Sequence, residues 1–168
     1  MSARKYYPVL VAVIALFVGI GSAYAVTATF TANIAYRSAL AITQAQQMDF
    51  GYVAAGTVAT YTLDTADGLT TVGGTIIGGT PKSGHYNING SALINISALN
   101  FSTAAPHGAV LSAPVCSYNA GAPVAGCAIG GAATGGHALN VGFTVATTVA
   151  GTDGLNDSPS FDLNVVYQ

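Results

Sequence analysis

The chain has 168 residues, of which 51% are hydrophobic and only 6% are charged, and its formal net charge is −2. That length predicts one domain, large enough to bury a core. So few cations cannot neutralise a phosphate backbone, which argues against nucleic acid or an anionic membrane surface as a partner. Two explanations of the neutral surface stay open. It belongs either to a secreted β-domain solvated by hydroxyl and amide groups, or to a subunit whose surface is covered in an assembly.

Residues 1–25 have the pattern of a secretory signal peptide. Arg4 and Lys5 supply a positive start, residues 9–20 form a short apolar stretch, and small residues occupy the cleavage positions. We therefore expect secretion through the periplasm to an extracellular or cell-surface location, with a mature chain that starts at Val26. The alternatives are a permanent anchor, for which the apolar stretch is short, and a type IV prepilin. No membrane span is predicted in the mature chain.

The segment that follows the signal, residues 26–36, alternates strictly and carries the strongest strand pattern in the sequence. Apolar side chains occupy one face, and mostly Thr and Asn occupy the other. The apolar face consists of Val26, Ala28, Phe30, Ala32, Ile34 and Tyr36. We interpret this segment as an N-terminal strand extension and as a candidate inter-subunit strand.

The remainder, residues 37–168, is predicted to be a single all-β domain. Further strand candidates lie at 40–43, 48–53, 57–63, 69–72, 75–77, 85–89, 92–99, 110–118, 125–129, 138–146 and 161–167. They recur at the roughly 8–12-residue spacing of a sandwich or barrel. Residues 130–136 have the composition of a loose Gly/Ala linker, and 151–160 that of a turn-rich loop.

The last strand candidate has Phe161, Leu163, Val165 and Tyr167 on one face. A strand in this position needs pairing partners from elsewhere in the fold or from another molecule. We therefore treat it as a second element of interest for assembly.

Two cysteines, Cys116 and Cys127, are an even number in a chain that we expect to be exported. A structural disulfide is the default prediction for such a pair. The intervening residues carry the turn composition of a hairpin-like excursion. A metal role would need further ligands at zinc spacing, and the sequence offers none.

No catalytic constellation is visible in the sequence. The three histidines, His85, His107 and His137, are far apart in the chain, and none adjoins an Asp. There is no Glu at all. This pattern supports neither a zinc site nor a hydrolytic triad, so we predict a protein that is not an enzyme and has no cofactor.

Two acidic loops and several tyrosines have alternative interpretations. Asp64 with Asp67, and Asp153 with Asn156 and Asp157, favour Asx-turns, and a weak calcium site is the alternative. The tyrosines in the strand candidates are interpreted as core or rim residues, with a carbohydrate-binding face as the alternative. The ones considered are Tyr52, Tyr61, Tyr86 and Tyr118.

Several segments, in order along the mature chain, resemble the bacterial secreted family called domain of unknown function 4402. They are the Ala/Thr-rich strand after the signal and the segments 40–43, 48–53, 84–90, 94–96, 138–142 and 161–167. This resemblance implies an immunoglobulin-like β-sandwich that is secreted or surface-exposed and has no established activity. The loop between the two cysteines departs from the family pattern.

A looser resemblance is to subunits of donor-strand pili. Such subunits carry an N-terminal alternating extension, as residues 26–36 do, and end in a strand with a penultimate aromatic, as Tyr167 stands here. In those fibres the extension of one subunit fills an incomplete sheet of the next. The resemblance implies identical subunits as partners, together with a periplasmic chaperone and an outer-membrane assembly protein.

Two hypotheses follow from the sequence. The preferred one is a structural subunit of an extracellular filament or pilus that assembles by strand complementation. The alternative is a monomeric secreted or surface β-sandwich that binds a carbohydrate or protein ligand. Because sandwiches host many functions, the fold alone does not decide between them.

Overall fold

The computed structural model describes residues 31, 33–99, 107–148, 153–154 and 156–168. The chain divides into two units, residues 1–35 and 36–168. All strands of the described residues lie in the second unit. The strands are β1 (Ala41–Gln46), β2 (Tyr52–Val53), β3 (Ala59–Leu63), β4 (Leu69–Val72), β5 (Ile76–Gly78), β6 (Gly84–Asn89), β7 (Leu93–Leu99), β8 (Val110–Tyr118), β9 (Val124–Ala125), β10 (Ile129–Ala132), β11 (His137–Thr147) and β12 (Asp162–Tyr167).

The larger sheet is built around β11, the longest strand. On one edge β11 pairs with β6 through its first half and with β3 through its second half, and on the other edge it pairs with β8. Outside these lie β1 against β6, β4 against β3, and β9 against β8. All of these pairs are antiparallel, so β11 has a partner on both edges over most of its length.

A smaller sheet packs against the larger one and completes a β-sandwich. It has three antiparallel strands in the order β10-β7-β12, and a separate two-stranded ribbon joins β2 to β5. The core lies between the two sheets. Ile94 and Ile96 of β7 share one buried cluster with Leu139, Val141 and Phe143 of β11. The all-β sandwich predicted from strand spacing is therefore confirmed.

The core follows from alternation along β11. Leu139, Val141, Phe143 and Val145 point inward and are buried, while the residues between them include Asn140 and Thr144 on the outer face. Period-two alternation is what a strand with one buried face requires. On the outer face of the larger sheet, hydroxyl side chains take the place of apolar ones, as where Thr144 meets Thr62.

The predicted disulfide is present. Cys116 of β8 and Cys127 are joined, and both residues are fully buried in the core cluster. The loop between them folds back on β8, because Val124 pairs with Cys116 and Ala125 with Val115. The disulfide therefore fixes the loop whose strand β9 pairs with the outer edge of β8.

The prediction of a single strand at 125–129 was wrong. The predicted strand 125–129 is split between β9 and β10, and β10 takes up residues predicted to be a Gly/Ala linker. In β10, Gly130 pairs with Asn95 and Gly131 with Ile94. A Cβ on Gly131 would lie 2.8 Å from Cε1 of Tyr118, so glycine makes room for that ring. Glycine is depleted in strands, which hid this one from a propensity argument.

The described part of the N-terminal extension differs from its prediction as a strand. Residues 31 and 33–40 belong to no strand, and Ile34 and Tyr36 are 71% and 87% exposed. A strand needs a hydrogen-bonded partner strand, and no strand pairs with these described residues. The other predicted inward residues of the extension, Val26, Ala28, Phe30 and Ala32, lie outside the described residues.

Removing the disulfide should lower stability without changing the fold. Because the two cysteines are 11 residues apart, the doubly substituted chain C116A/C127A should lose about 3 kcal/mol of unfolding free energy. Urea denaturation followed by circular dichroism measures this loss. The wild-type chain under reducing conditions is the matched comparison and should fall by a similar amount. A loss below about 1 kcal/mol in both samples would contradict a stabilising role.

Candidate strand-acceptor site

The outer edge of β12 is a candidate site for strand addition. Opposite residues of β12 and β7 stay in one unbroken register over six pairs, from Asp162↔Leu99 to Tyr167↔Ile94. Among the described residues no strand pairs with the other edge of β12. The smaller sheet is therefore open on this side in the described structure.

The orientation of the backbone groups follows from one hydrogen bond. The amide of Gln168 donates to the carbonyl of Leu93 at 3.0 Å, and these residues lie directly opposite each other in the same register. Hydrogen-bonded pairs alternate along an antiparallel ladder, so the even-numbered residues of β12 bond to β7. The amide and carbonyl groups of Leu163, Val165 and Tyr167 consequently point toward the open edge.

Side chains of the same residues point into the sandwich. Leu163, Val165 and Tyr167 alternate with more exposed neighbours and pack against the core cluster, yet each stays only partly buried. On the larger sheet, Ile42 of β1 lies opposite the fully buried Ile88 and so faces the same interior, but it is 40% exposed. Inward-facing apolar side chains are thus incompletely covered on both sheets.

We call this strip of incompletely covered residues the seam. It consists of Leu40, Ile42, Leu163 and Val165. Leu40 and the β12 residues all pack against the core cluster. Its members come from β12, from β1 and from the residue before β1, and both strands lie at an edge of their sheet.

One end of the seam is closed by Tyr167. Its hydroxyl donates to the carbonyl of Ser38 at 2.8 Å and accepts from the amide of Ser91 at 3.0 Å. Hydrogen bonds from the side chain and the backbone of Ser91 lower the pKa of the Tyr167 phenol below its ordinary value. Gly90 lies beneath, since a Cβ there would meet both the Tyr167 hydroxyl and Leu40. The predicted penultimate aromatic thus ties the end of β12 to the approach to β1.

The other end is closed by a group of aromatic rings. Phe161 packs against Phe143 with ring centroids 4.6 Å apart, and against Tyr86 edge-on at 6.3 Å. Burial raises the pKa of Tyr86. All four terminal-strand residues named from the sequence therefore lie along the seam or at one of its ends. Leu163 and Val165 line the seam, and Phe161 and Tyr167 bound it.

The edge of β12 carries little that would prevent another strand from adding. Exposed edges are usually protected by Lys, Pro, bulges or a covering element. Here the β12 sequence, Asp-Leu-Asn-Val-Val-Tyr, has one charge at its start, no proline and no register shift. A regular edge with a single charge at its start is a template for pairing with another chain.

The other candidate acidic residues accept hydrogen bonds from backbone amides, locally for Asp64 and across the fold for Asp157. Asp64 accepts from the amides of Ala66 and Gly68, as an Asx-turn does. Asp157 accepts from the amides of His107 and Ala109. In the described parts of the chain no three His, Cys, Asp or Glu residues are grouped to hold a metal ion.

Sequence reasoning missed a polar cluster at the start of β6. Asp67, in the left-handed region at φ 67°, accepts from the amide and hydroxyl of Ser83 at 2.6 and 2.8 Å. Its other oxygen pairs with Lys82 at 3.3 Å. The hydroxyl of Ser83 also lies 3.0 Å from Nε2 of His85. Ser83 is fully buried, so the cluster fixes a turn and offers no accessible nucleophile.

The tyrosine predictions divide. Tyr61 and Tyr118 are core residues, and the Tyr118 hydroxyl donates to the carbonyl of Ala132 at 2.6 Å. Tyr52 is 68% exposed and is therefore not a core residue. Tyr52 follows Gly51 and is faced by Gly78 and Gly79, and this glycine spacing was the available signal.

Comparison with family models, with curated proteins and with solved structures finds no match to this chain. Within the stretches that the structure describes, none of the elements is a helix of the length and apolarity needed to cross a membrane. The family resemblances and the filament hypothesis therefore remain predictions, and arguments about function depend on the geometry described above.

The Asp67 cluster predicts a loss of stability in acid. The hydrogen bonds from Ser83, and then Lys82, lower the pKa of Asp67 from 3.8 to about 2. A lowered pKa in the folded state stabilises the fold above the unfolded value of 3.8, and this stabilisation is lost as the pH falls toward 2. Because the side chain is partly exposed, we expect a contribution of roughly 1–2 kcal/mol.

Urea denaturation across this pH range measures the effect. The unfolding free energy of the D67N chain should be lower than wild type at neutral pH and should change less between pH 4 and pH 2. The matched control is D153N, which removes an exposed carboxylate and should follow the wild-type profile. Parallel profiles for D67N and wild type would show that Asp67 is not responsible.

Proposed function

We propose that this protein is a structural subunit of an extracellular filament, in which residues 26–36 of one subunit pair with the outer edge of β12 in the next. The observation that carries the proposal is the open, regular edge of β12 beside the incompletely covered seam. Strand addition supplies main-chain hydrogen bonds for affinity and side-chain pockets for specificity. The outward-pointing backbone groups of β12 would supply the hydrogen bonds, and the seam would receive the side chains.

The dimensions of the two elements agree. The edge from Phe161 to Tyr167 is about 20 Å long at ~3.4 Å per residue, which a strand of about seven residues would cover. The alternating extension is longer than that. Its apolar face presents large side chains, Phe30 and Ile34, separated by Ala32. Such spacing suits a narrow apolar seam in which large side chains fill gaps between inward-facing residues.

The described end of the extension supports pairing between subunits. Ile34 and Tyr36 are exposed, although the alternation assigns both to an apolar face. A single chain thus leaves these apolar side chains in water, and burying a side chain such as Ile contributes about 1.5–3 kcal/mol. Contact with a second copy would provide that burial.

The surface composition is compatible with close association. With 6% charged residues, neighbouring subunits meet little charge repulsion. Export through the periplasm, predicted from residues 1–25, would place assembly outside the cytoplasm. On this proposal the immunoglobulin-like topology follows from the resemblance to domain of unknown function 4402, and the chaperone and the outer-membrane assembly protein follow from the resemblance to donor-strand pili.

A mixing experiment with two variants tests the proposal. The donor variant F30D/I34D charges the apolar face of the extension, and the acceptor variant V165P removes an amide that points to the open edge and forms no bond with β7. Each variant alone should stay monomeric because one half of the joint is lost. Mixed together they should form one-to-one heterodimers that do not elongate, as measured by light scattering and electron microscopy.

Matched controls separate folding from assembly. T29D/N33D adds the same charges to the opposite face of the extension and should still polymerise. V165K, which fills the seam with a long side chain, is the second acceptor variant if V165P does not fold by circular dichroism. A wild-type chain that stays monomeric at every concentration, or equal behaviour of F30D/I34D and T29D/N33D, would refute strand complementation.

A further inference from the structure

A cleft beside the β2–β5 ribbon is separate from the seam. It is partly open to solvent, has a volume of about 500 Å³ and is lined by Asp49, Gly51, Tyr52, Gly79, Thr80 and Asn156. Volumes of about 300–1,000 Å³ are typical of sites for small molecules. Neither the fold nor the proposed filament contact requires an open cleft at this place.

Backbone contacts hold the floor of the cleft. Asp49 and Lys82 exchange two hydrogen bonds of 2.8 Å, and the amide of Ala54 donates to the carbonyl of Thr75 at 2.9 Å. Gly51 and Gly79 both have positive φ, and a Cβ on Gly79 would lie 2.8 Å from the Cα of Gly51. Only glycine permits this close approach, so the site is formed by the fold itself.

An exposed aromatic ring forms part of the cleft. The Tyr52 ring lies against β5, since a Cβ on Gly78 would be 3.6 Å from its Cδ2, and one on Gly79 would be 3.3 Å away. The residue is nevertheless 68% exposed. An aromatic ring supported on one side and open to solvent provides an apolar platform with a polar hydroxyl at its tip.

Hydrogen-bonding groups surround the ring. One oxygen of Asp49 accepts from the amide of Gly51 at 2.8 Å. Within the described residues no hydrogen bond to its second oxygen is found, and a carboxylate has capacity for several more. Asn156 offers both donors and an acceptor, and Thr80 offers a hydroxyl. The lining thus combines one apolar surface with several polar groups of mixed type.

The charge and polarity of the lining disfavour two classes of ligand. Asp49 is its one ionisable carboxylate, and the nearby ammonium of Lys82 is paired with Asp67 at 3.3 Å. An anionic ligand would therefore be repelled, and a purely apolar one would leave the polar groups unpaired. A neutral saccharide has both the apolar C–H face and the hydroxyls that such a lining can accommodate.

We propose that this cleft binds a neutral saccharide unit. The proposal is independent of filament assembly, since it concerns the β2–β5 ribbon and not the β1–β12 seam. It gives the protein a second activity, in which a subunit or a monomer attaches to a neutral glycan. The carboxylate of Asp49 and the amide of Asn156 would bind hydroxyls, and the ring of Tyr52 would stack on the sugar.

Glycan-array screening of the exported chain tests the proposal. The array carries neutral hexose and N-acetylhexosamine oligosaccharides beside sialylated and sulfated ones. We expect binding to members of the neutral set, with a dissociation constant of about 1 mM or tighter by calorimetry. Y52A and D49N should each weaken that binding at least about tenfold. I77A, an exposed residue of the same ribbon outside the lining, should leave it unchanged.

Each other result would overturn the proposal. No neutral glycan bound below about 10 mM, binding restricted to acidic glycans, or equal binding by Y52A, D49N and I77A would each exclude this site. The same measurement on F30D/I34D, which does not assemble if strand complementation is correct, keeps the two proposals apart. A wild-type chain that assembles but binds no neutral glycan refutes only the cleft proposal. A wild-type chain that binds a neutral glycan but does not assemble refutes only the filament proposal.

Discussion

The pairing of β11 on both of its edges is the interaction on which the rest of the sandwich depends. This strand joins β6 and β3 on one edge to β8 on the other, and its inward face supplies the centre of the core. Buried backbone amides and carbonyls need hydrogen-bond partners, because leaving one unpaired costs more free energy than most single contacts contribute. A strand at the centre of a sheet satisfies this requirement within its own chain. Side-chain alternation then fixes which face is buried, since a slip of one residue would expose every apolar group.

The same requirement applies to β12, which is one of several described strands that are paired on one edge only. Its inner edge is fully in register with β7, while its outer edge has no strand partner in the described residues. The side chains attached to the outward-pointing backbone groups, Leu163 and Val165, are also the ones that face the seam. A partner strand would therefore satisfy hydrogen bonds and cover apolar surface in one step. Tyr167 and Phe161 keep the two sheets together at the ends of this opening, so the seam stays a defined slot.

Neutrality connects the two proposed sites. In the proposed filament, few charges would allow subunits to approach, and in the proposed glycan site they would leave recognition to hydroxyl, amide and aromatic groups. Glycines contribute differently in the two places. Gly90 permits Tyr167 to reach across the seam, and Gly51 with Gly79 permits two backbone segments to meet beneath the cleft. In each case the absent side chain is what brings other groups together.

The amino-acid sequence by itself determined the all-β class, most strand positions, the disulfide and the inward face of the terminal strand, because alternation and cysteine number are local properties of the chain. It did not determine that β10 forms from Gly130 and Gly131, since their pairing depends on Tyr118 packing over them. Nor did it show which strand lies at an edge, because edge position depends on the order of strands in a sheet. The seam, the Asp67–Ser83 cluster and the Tyr52 cleft join residues far apart in sequence, so only the tertiary structure decided them.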